Sequence, residues 1–187
     1  MKQIGIYSGS FNPVHIGHLA LANWICVYEK LDEVWFLITP QNPLKEADSL
    51  MDNRLRLEMM EAAIDGDPRF KASDFEFHLP QPTYTIDTLR ALRQAYPDYR
   101  FVFIMGADNW ARIERWKDHE QLIANYPIRI YPRAGYTMHI PEGYADVKLM
   151  EAPIIEISST FIRESFRQGE DVRFFLPEKV RAFFKNS

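Results

Sequence analysis

Only one cysteine, Cys26, occurs in the 187 residues, so an intramolecular disulfide is excluded, and so is a multi-cysteine zinc site. Cys26 reads instead as a small apolar residue on a helix. No apolar run approaches the roughly 20 residues that a bilayer-spanning helix needs. The opening stretch MKQIGIYSGS reaches glycine and serine too soon to hold the apolar core of a signal peptide. These absences favour a cytoplasmic protein without a membrane partner. A basic excess is missing as well. Against 22 Lys and Arg stand 26 Asp and Glu, a net charge of −4, which gives no broad footprint for nucleic acid. Local basic pockets for small anions are compatible with that balance.

The chain is rich in core material, with 47% hydrophobic and 14% aromatic residues. That suits one domain over residues 1–187, and no repeat, low-complexity tract or linker divides it. Ile4, Ile6 and Tyr7 belong to a first strand that runs into Gly9-Ser10-Phe11-Asn12-Pro13, a loop punctuated by Gly and Pro. A helix is predicted from about His15 to Tyr28. Val34–Ile38 and Phe101–Met105 are unbroken apolar runs, as strands covered on both faces should be. Helical spacing marks Asn53–Ile64 and Tyr84–Ala95. Ile128–Tyr131 and the shorter Ile154–Ile157 read as strands, with Ser159–Arg167 and Glu178–Phe184 as closing helices. Strands alternating with helices predict the α/β class: a Rossmann-like, doubly wound parallel sheet with helices on both faces. Ligands of such sheets bind beyond the carboxyl ends of the strands. The loops at Gly9, Pro40, Gly106 and Ile157 are each expected to follow a strand there.

The segment from Gly9 to His18 carries the strongest signal. Glycine at a strand exit lets backbone N–H groups approach a phosphate. His15 and His18, three apart at a helix start, lie on its first turn. There they join the free N–H groups that attract anions to a helix N-terminus, and Gly17 between them leaves room for a bulky ligand. Ser158, Ser159 and Thr160 at a later helix start are good capping residues. Arg163, one turn on, can return to the same helix end and bind phosphate with two parallel hydrogen bonds. Asp108, after Gly106-Ala107, can accept from ribose hydroxyls or cap the next helix.

With these residues in hand, the segment GSFNPVHIGHL resembles the H-x-G-H signature of the nucleotidylyltransferase superfamily. The further segments PLK, RLRLEMM, TYTIDTL, GADNWARIERW, PRAG and ISSTFIR occur in an order similar to that of the bacterial nicotinate-nucleotide adenylyltransferases. The match runs from Gln3 to about Phe166.

The resemblance implies an enzyme that transfers the adenylyl group of ATP to nicotinate mononucleotide, giving deamido-NAD and pyrophosphate. The mononucleotide's own phosphate is the nucleophile, and Mg²⁺ arrives bound to ATP rather than in an all-protein site. It implies catalytic roles for His15, His18, Lys45 and Arg163. ATP contacts would come from Gly9, Ser10, Phe11, Gly17, Gly106, Asp108, Ile157, Ser158, Ser159 and Thr160. Tyr84, Thr85, Trp116 and Arg133 would hold the mononucleotide, Trp116 by stacking on the pyridine ring and Tyr84-Thr85 by helix N–H groups facing the nicotinate carboxylate. Trp110 is left to packing and Arg54 to a solvated helix face. Two departures stand out: Leu44 replaces a histidine that often precedes the lysine, and Asn12 stands where many relatives carry aspartate.

Competing readings are an adenylyltransferase for nicotinamide mononucleotide or phosphopantetheine, or a non-catalytic nucleotide-binding module. Pantetheine-phosphate adenylyltransferases share the first loop and the Ser-Ser-Thr segment. They are not expected to combine them with TYTIDTL and the Gly-Ala-Asp…Trp pairing. A homo-oligomer is compatible with the sequence.

Overall fold

A computed structural model of the protein describes residues 1–40 and 50–184. Six strands form one parallel sheet: β1 (Lys2–Gly9), β2 (Glu33–Ile38), β3 (Phe70–Ser73), β4 (Tyr99–Gly106), β5 (Ile128–Tyr131) and β6 (Val147–Leu149). Their spatial order is β3-β2-β1-β4-β5-β6. Six helices accompany them: α1 (Ile16–Tyr28), α2 (Asn53–Ile64), α3 (Thr85–Ala95), the single turn α4 (Ala107–Trp110), α5 (His119–Asn125) and α6 (Ser159–Arg167). The chain moves outward in one direction through β1, β2 and β3, then returns to place β4 on the other side of β1. The strand order therefore reverses between β1 and β4, where an open parallel sheet leaves a crevice.

Alternation along the strands builds two cores. Tyr7, Phe36, Val102 and Ile104 face one side, where they meet Ile25 of α1, Met59 and Met60 of α2, and Ile162 of α6. Ile6, Leu37, Phe101 and Phe103 face the other, against Ile86, Leu89 and Leu92 of α3 and Leu122 of α5. Burying each such side chain stabilises the fold by about 1.5–3 kcal/mol, which explains why β2 and β4 are apolar almost without interruption. Cys26 is a free, buried thiol on α1, and Trp110 is buried in the second core. No helix among the described residues is long and apolar enough to cross a membrane.

Two expectations need correction, and one strand was not foreseen. The last strand is Val147–Leu149, paired in register with Ile128–Ile130, and not Ile154–Ile157. Pro153 cannot donate to a ladder, and the chain beyond Met150 instead crosses the sheet edge, where Pro153, Ile155 and Ile157 line a cavity. The closing segment forms only a 3₁₀ turn at Val180–Phe184 rather than a helix from Glu178. The edge strand β3 has only four residues, half of them part-exposed, and so lacks a continuous apolar run.

Candidate active site

β1 ends at Gly9 and β4 at Gly106, and beyond them a cavity of about 550 Å³ opens against α1 and α6. Its lining includes Gly9, Ser10, Phe11, His15, Gly17 and His18 from the first strand–helix unit. Asp108 and Arg133 follow β4 and β5, and Ile157, Ser158, Ser159, Thr160 and Arg163 lie at the start of α6. Loops distant in sequence thus gather on one edge of the sheet. Ile157 joins them although no strand precedes it directly.

The loop between β1 and α1 is held by its carbonyls. Arg163 Nη1 donates to the Asn12 carbonyl at 2.7 Å, and Ser159 Oγ donates to that of Pro13 at 2.8 Å. Phe11 takes a positive φ of 43°, a conformation that costs a non-glycine residue about 1–2 kcal/mol. Its buried ring packs edge-on to His18 at 5.0 Å and to Tyr7 at 5.4 Å, which compensates that strain. Asn12 is buried, and its Oδ1 accepts from the Met51 N–H at 3.0 Å. An amide meets that bond without bringing a buried charge, which accounts physically for the departure from aspartate.

His15 caps α1 and His18 is its third residue. Their rings stack, with centroids 3.6 Å apart. The His15 N–H donates to His18 Nδ1 at 3.2 Å, so in its neutral form the His18 ring carries its proton on Nε2. Close packing requires Gly17 between them, because a Cβ there would lie 3.0 Å from the His15 ring and 3.1 Å from Ile155. A Cβ on Gly106 would lie 2.3 Å from Asp108 Oδ1, so this glycine, which does not itself line the cavity, is what lets Asp108 fold back.

Four buried polar atoms at this cavity have no hydrogen-bond partner among the described residues: His15 Nδ1, Asp108 Oδ1, Arg133 Nε and Arg163 Nε. Buried polar groups are nearly always paired, so their convergence on one cavity marks a polar ligand site. Arg133 and Asp108 form an ion pair at 3.6 Å, too long to satisfy either atom by a hydrogen bond. Arg133 also reaches the Tyr131 hydroxyl at 3.3 Å. Burial opposes its charge, but Tyr131, Tyr7 and Asp108 outweigh it and raise its pKa.

Burial, with a smaller push from the Arg133 cation, lowers the His15 pKa from 6.5 to about 4. The unfolded chain therefore takes up this proton first as the pH falls, and stability is lost between those two values. The expected loss is about 2 kcal/mol between pH 7 and pH 5. Urea denaturation of the parent and of His15→Gln at both pH values checks it, since the variant should lack this part of the acid sensitivity. Glu76, raised by burial to about 7 against the hydrogen bond from Thr88, works in the opposite direction. Its stabilising effect fades as the pH rises through that value, and it cancels in the comparison because both proteins carry it.

Hydroxyls at the start of α6 divide the work. Ser158 Oγ accepts from the Phe161 N–H at 3.1 Å and caps the helix, Ser159 holds Pro13, and Thr160 Oγ1 accepts from Arg163 at 3.4 Å. Tyr84, Thr85 and Trp116 do not line the cavity. Trp116 packs edge-on to Phe103 at 6.0 Å, and the next residue, Lys117, sits over the Tyr84 ring and pairs with Asp87 at 2.7 Å. These three residues thus form a separate group on the α3 face of the sheet. Arg133, expected to contact the mononucleotide, lines the cavity beside His15. Lys45 and Leu44 fall outside the described residues. Arg54 is an exposed helix residue paired with Glu58 at 3.1 Å.

Tyr7 and Tyr131, also in the lining, carried no motif and escaped sequence reasoning, while Asn109 of GADNWARIERW, in the lining too, and Arg56 of RLRLEMM were given no role there.

The chain belongs to the cytidylyltransferase-like family, whose model matches residues 6–165. Within it, similarity runs to proteins named probable nicotinate-nucleotide adenylyltransferase. That of Bacteroides fragilis is 52% identical over 176 residues, covering 94% of this chain and 88% of the relative. That of Bacteroides thetaiotaomicron is 52% identical over 184 residues, covering 97% and 90%. The fold is similar to that of Plasmodium falciparum nicotinic acid mononucleotide adenylyltransferase complexed with NaAD, with a TM-score of 0.81 at 24% identity and coverage of 100% of this chain and 96% of that one.

Proposed function

We propose that the protein transfers the adenylyl group of ATP to nicotinate mononucleotide, giving deamido-NAD and pyrophosphate. The observation that carries this reading is the convergence of four buried atoms without a hydrogen bond among the described residues, three of them on cations or an imidazole, on one cavity at the reversal of strand order. The names of relatives that this chain matches over nearly their whole length support the choice of acceptor.

The reaction needs no protein nucleophile. The mononucleotide phosphate attacks the α-phosphorus of ATP, the new P–O bond forms as the bond to the β-phosphate oxygen breaks, and pyrophosphate leaves. What the site must supply is alignment, together with donors that meet charge as it builds on the transferring group. His18 Nε2–H and the N-terminus of α1 are suited to the α-phosphate. Arg163 and the N-terminus of α6 are suited to the departing pyrophosphate, and Arg133 and His15 add donors beside them. A divalent cation, Mg²⁺ in this reading, enters with ATP as part of the substrate and screens its charge. Asp108 is placed to accept from the ribose of ATP. Tyr84, Thr85 and Trp116 are assigned to the pyridine end of the acceptor, because the N-terminus of α3 lies at the carboxyl edge of a parallel sheet, as does that of α1. Lys45 is retained as a phosphate contact.

Turnover of nicotinate mononucleotide, nicotinamide mononucleotide and phosphopantetheine, each with ATP and with CTP, tests the assignment by mass detection of the product. Nicotinate mononucleotide with ATP should exceed every other pair by about tenfold or more, as one charged hydrogen bond can discriminate. Preference for another acceptor would move the chain to a different member of the family, and no product from any pair would leave a binding module.

A further inference from the structure

Arg56 on α2 is fully buried, yet its hydrogen-bond partners among the described residues include no carboxylate. Its Nε donates to the Met51 carbonyl at 3.0 Å and its Nη1 to the Ser10 carbonyl at 2.6 Å. Its Nη2 donates to Asn53 Oδ1 at 2.6 Å and to the Pro40 carbonyl at 3.4 Å. One guanidinium thus ties together the exit of β1, the exit of β2 and the start of α2. Asp52 is near enough to favour its charge, but that carboxylate is exposed and caps α2 by accepting from the Arg54 and Leu55 N–H groups. Among the described residues Arg56 forms no ion pair, and a buried cation without one is costly. A purely structural tie at this place is met more cheaply by neutral donors, so the charge itself calls for an explanation.

The backbone supplies it. In a trans peptide the C=O and the following N–H point in opposite directions, and the bond between Ser10 and Phe11 is trans. Ser10 and Phe11 line the cavity whereas Arg56 does not. Drawing the Ser10 carbonyl back to the guanidinium therefore turns the Phe11 N–H away from Arg56, to the cavity side. A full positive charge lies one peptide unit behind the loop, where burial limits screening.

We propose that Arg56 is the positioning residue of this loop: it orients the loop's backbone N–H groups towards a polyphosphate and, with no ion-pair partner among the described residues, adds its own field to their attraction. For its kinetic readout the proposal rests on the adenylyl-transfer reading. Two variants separate geometry from charge. Asn53→Asp keeps the acceptor of the 2.6 Å bond but neutralises the guanidinium. It is expected to melt at or above the parent temperature while binding a non-cleavable ATP analogue with Mg²⁺ about tenfold or more weakly, the size expected of one nearby charge. A gain in stability with a loss of affinity is not what a merely structural role produces.

Arg56→Lys keeps the charge and gives up the fork. It should lower kcat/KM for ATP by about tenfold or more, with KM for the mononucleotide changed far less. Analogue affinity in Asn53→Asp equal to the parent's would overturn the proposal whatever the lysine variant does. Parent-like turnover in a folded Arg56→Lys would overturn it too, and if that variant does not fold, Asn53→Asp decides alone. Because the analogue titration needs no turnover, a parent protein that makes no dinucleotide would reject the reaction and leave this test standing.

Discussion

Replacing His18 by alanine is expected to lower adenylyl transfer by about 10²–10⁴-fold, while ATP binding remains measurable. The expectation follows from the geometry of one ring. Its Nδ1 already accepts the His15 N–H at 3.2 Å, which assigns the donor to Nε2. The His15 ring at 3.6 Å, Phe11 at 5.0 Å and Tyr7 at 6.2 Å hold the plane. A donor so held meets charge that appears only during transfer, with little reorganisation when it does. Ground-state binding draws on several donors at once, so removal of one leaves most of it. Pyrophosphate release measured beside equilibrium ATP binding checks both halves. A His18→Ala variant that turned over like the parent would remove this residue from the chemistry.

Arg163→Ala should reduce kcat/KM for ATP by about 10²–10³-fold, against a loss of about 1 kcal/mol in stability for its hydrogen bond to the Asn12 carbonyl. The two effects differ because the guanidinium has two tasks. Nη1 fixes the loop at 2.7 Å, whereas Nε is buried and unpartnered at the cavity. Arg163→Lys should recover only part of the loss, since an ammonium cannot hold the loop and a phosphate in parallel. Steady-state kinetics in ATP, set beside thermal melting of the same variants, measures the separation. Equal losses in melting and in turnover would make Arg163 a structural residue only.

Much of this site was legible before any coordinates, because its residues sit in contiguous blocks whose local physics is strong. Gly9, His15, Gly17 and His18 share one strand–loop–helix unit, and Ser158 to Arg163 share one helix start. Those segments needed only the rule that strand exits gather on one edge. The apolar runs of β2 and β4 likewise announced strands buried on both faces. Legibility fell where the deciding interaction joins distant segments. Val147–Leu149 is a strand because β5 offers it a partner, while the more apolar stretch around Ile154 is drawn across the cavity. Asn12 looked like a weakened position until Met51 and Arg163 were seen to bind it. Arg56 sits among hydrophobic helix residues, and nothing in its neighbours reveals that its partners are carbonyls 5, 16 and 46 positions away.

A crystal structure with an ATP analogue whose α,β-bridge cannot be cleaved would test the account most directly. The triphosphate should lie between the two helix N-termini, with an α-phosphate oxygen accepting from His18 Nε2 and the outer phosphates within hydrogen-bonding reach of Arg163. A triphosphate seated elsewhere on the sheet edge, with both side chains left in the positions they hold without it, would contradict the assignment of this cavity to adenylyl transfer.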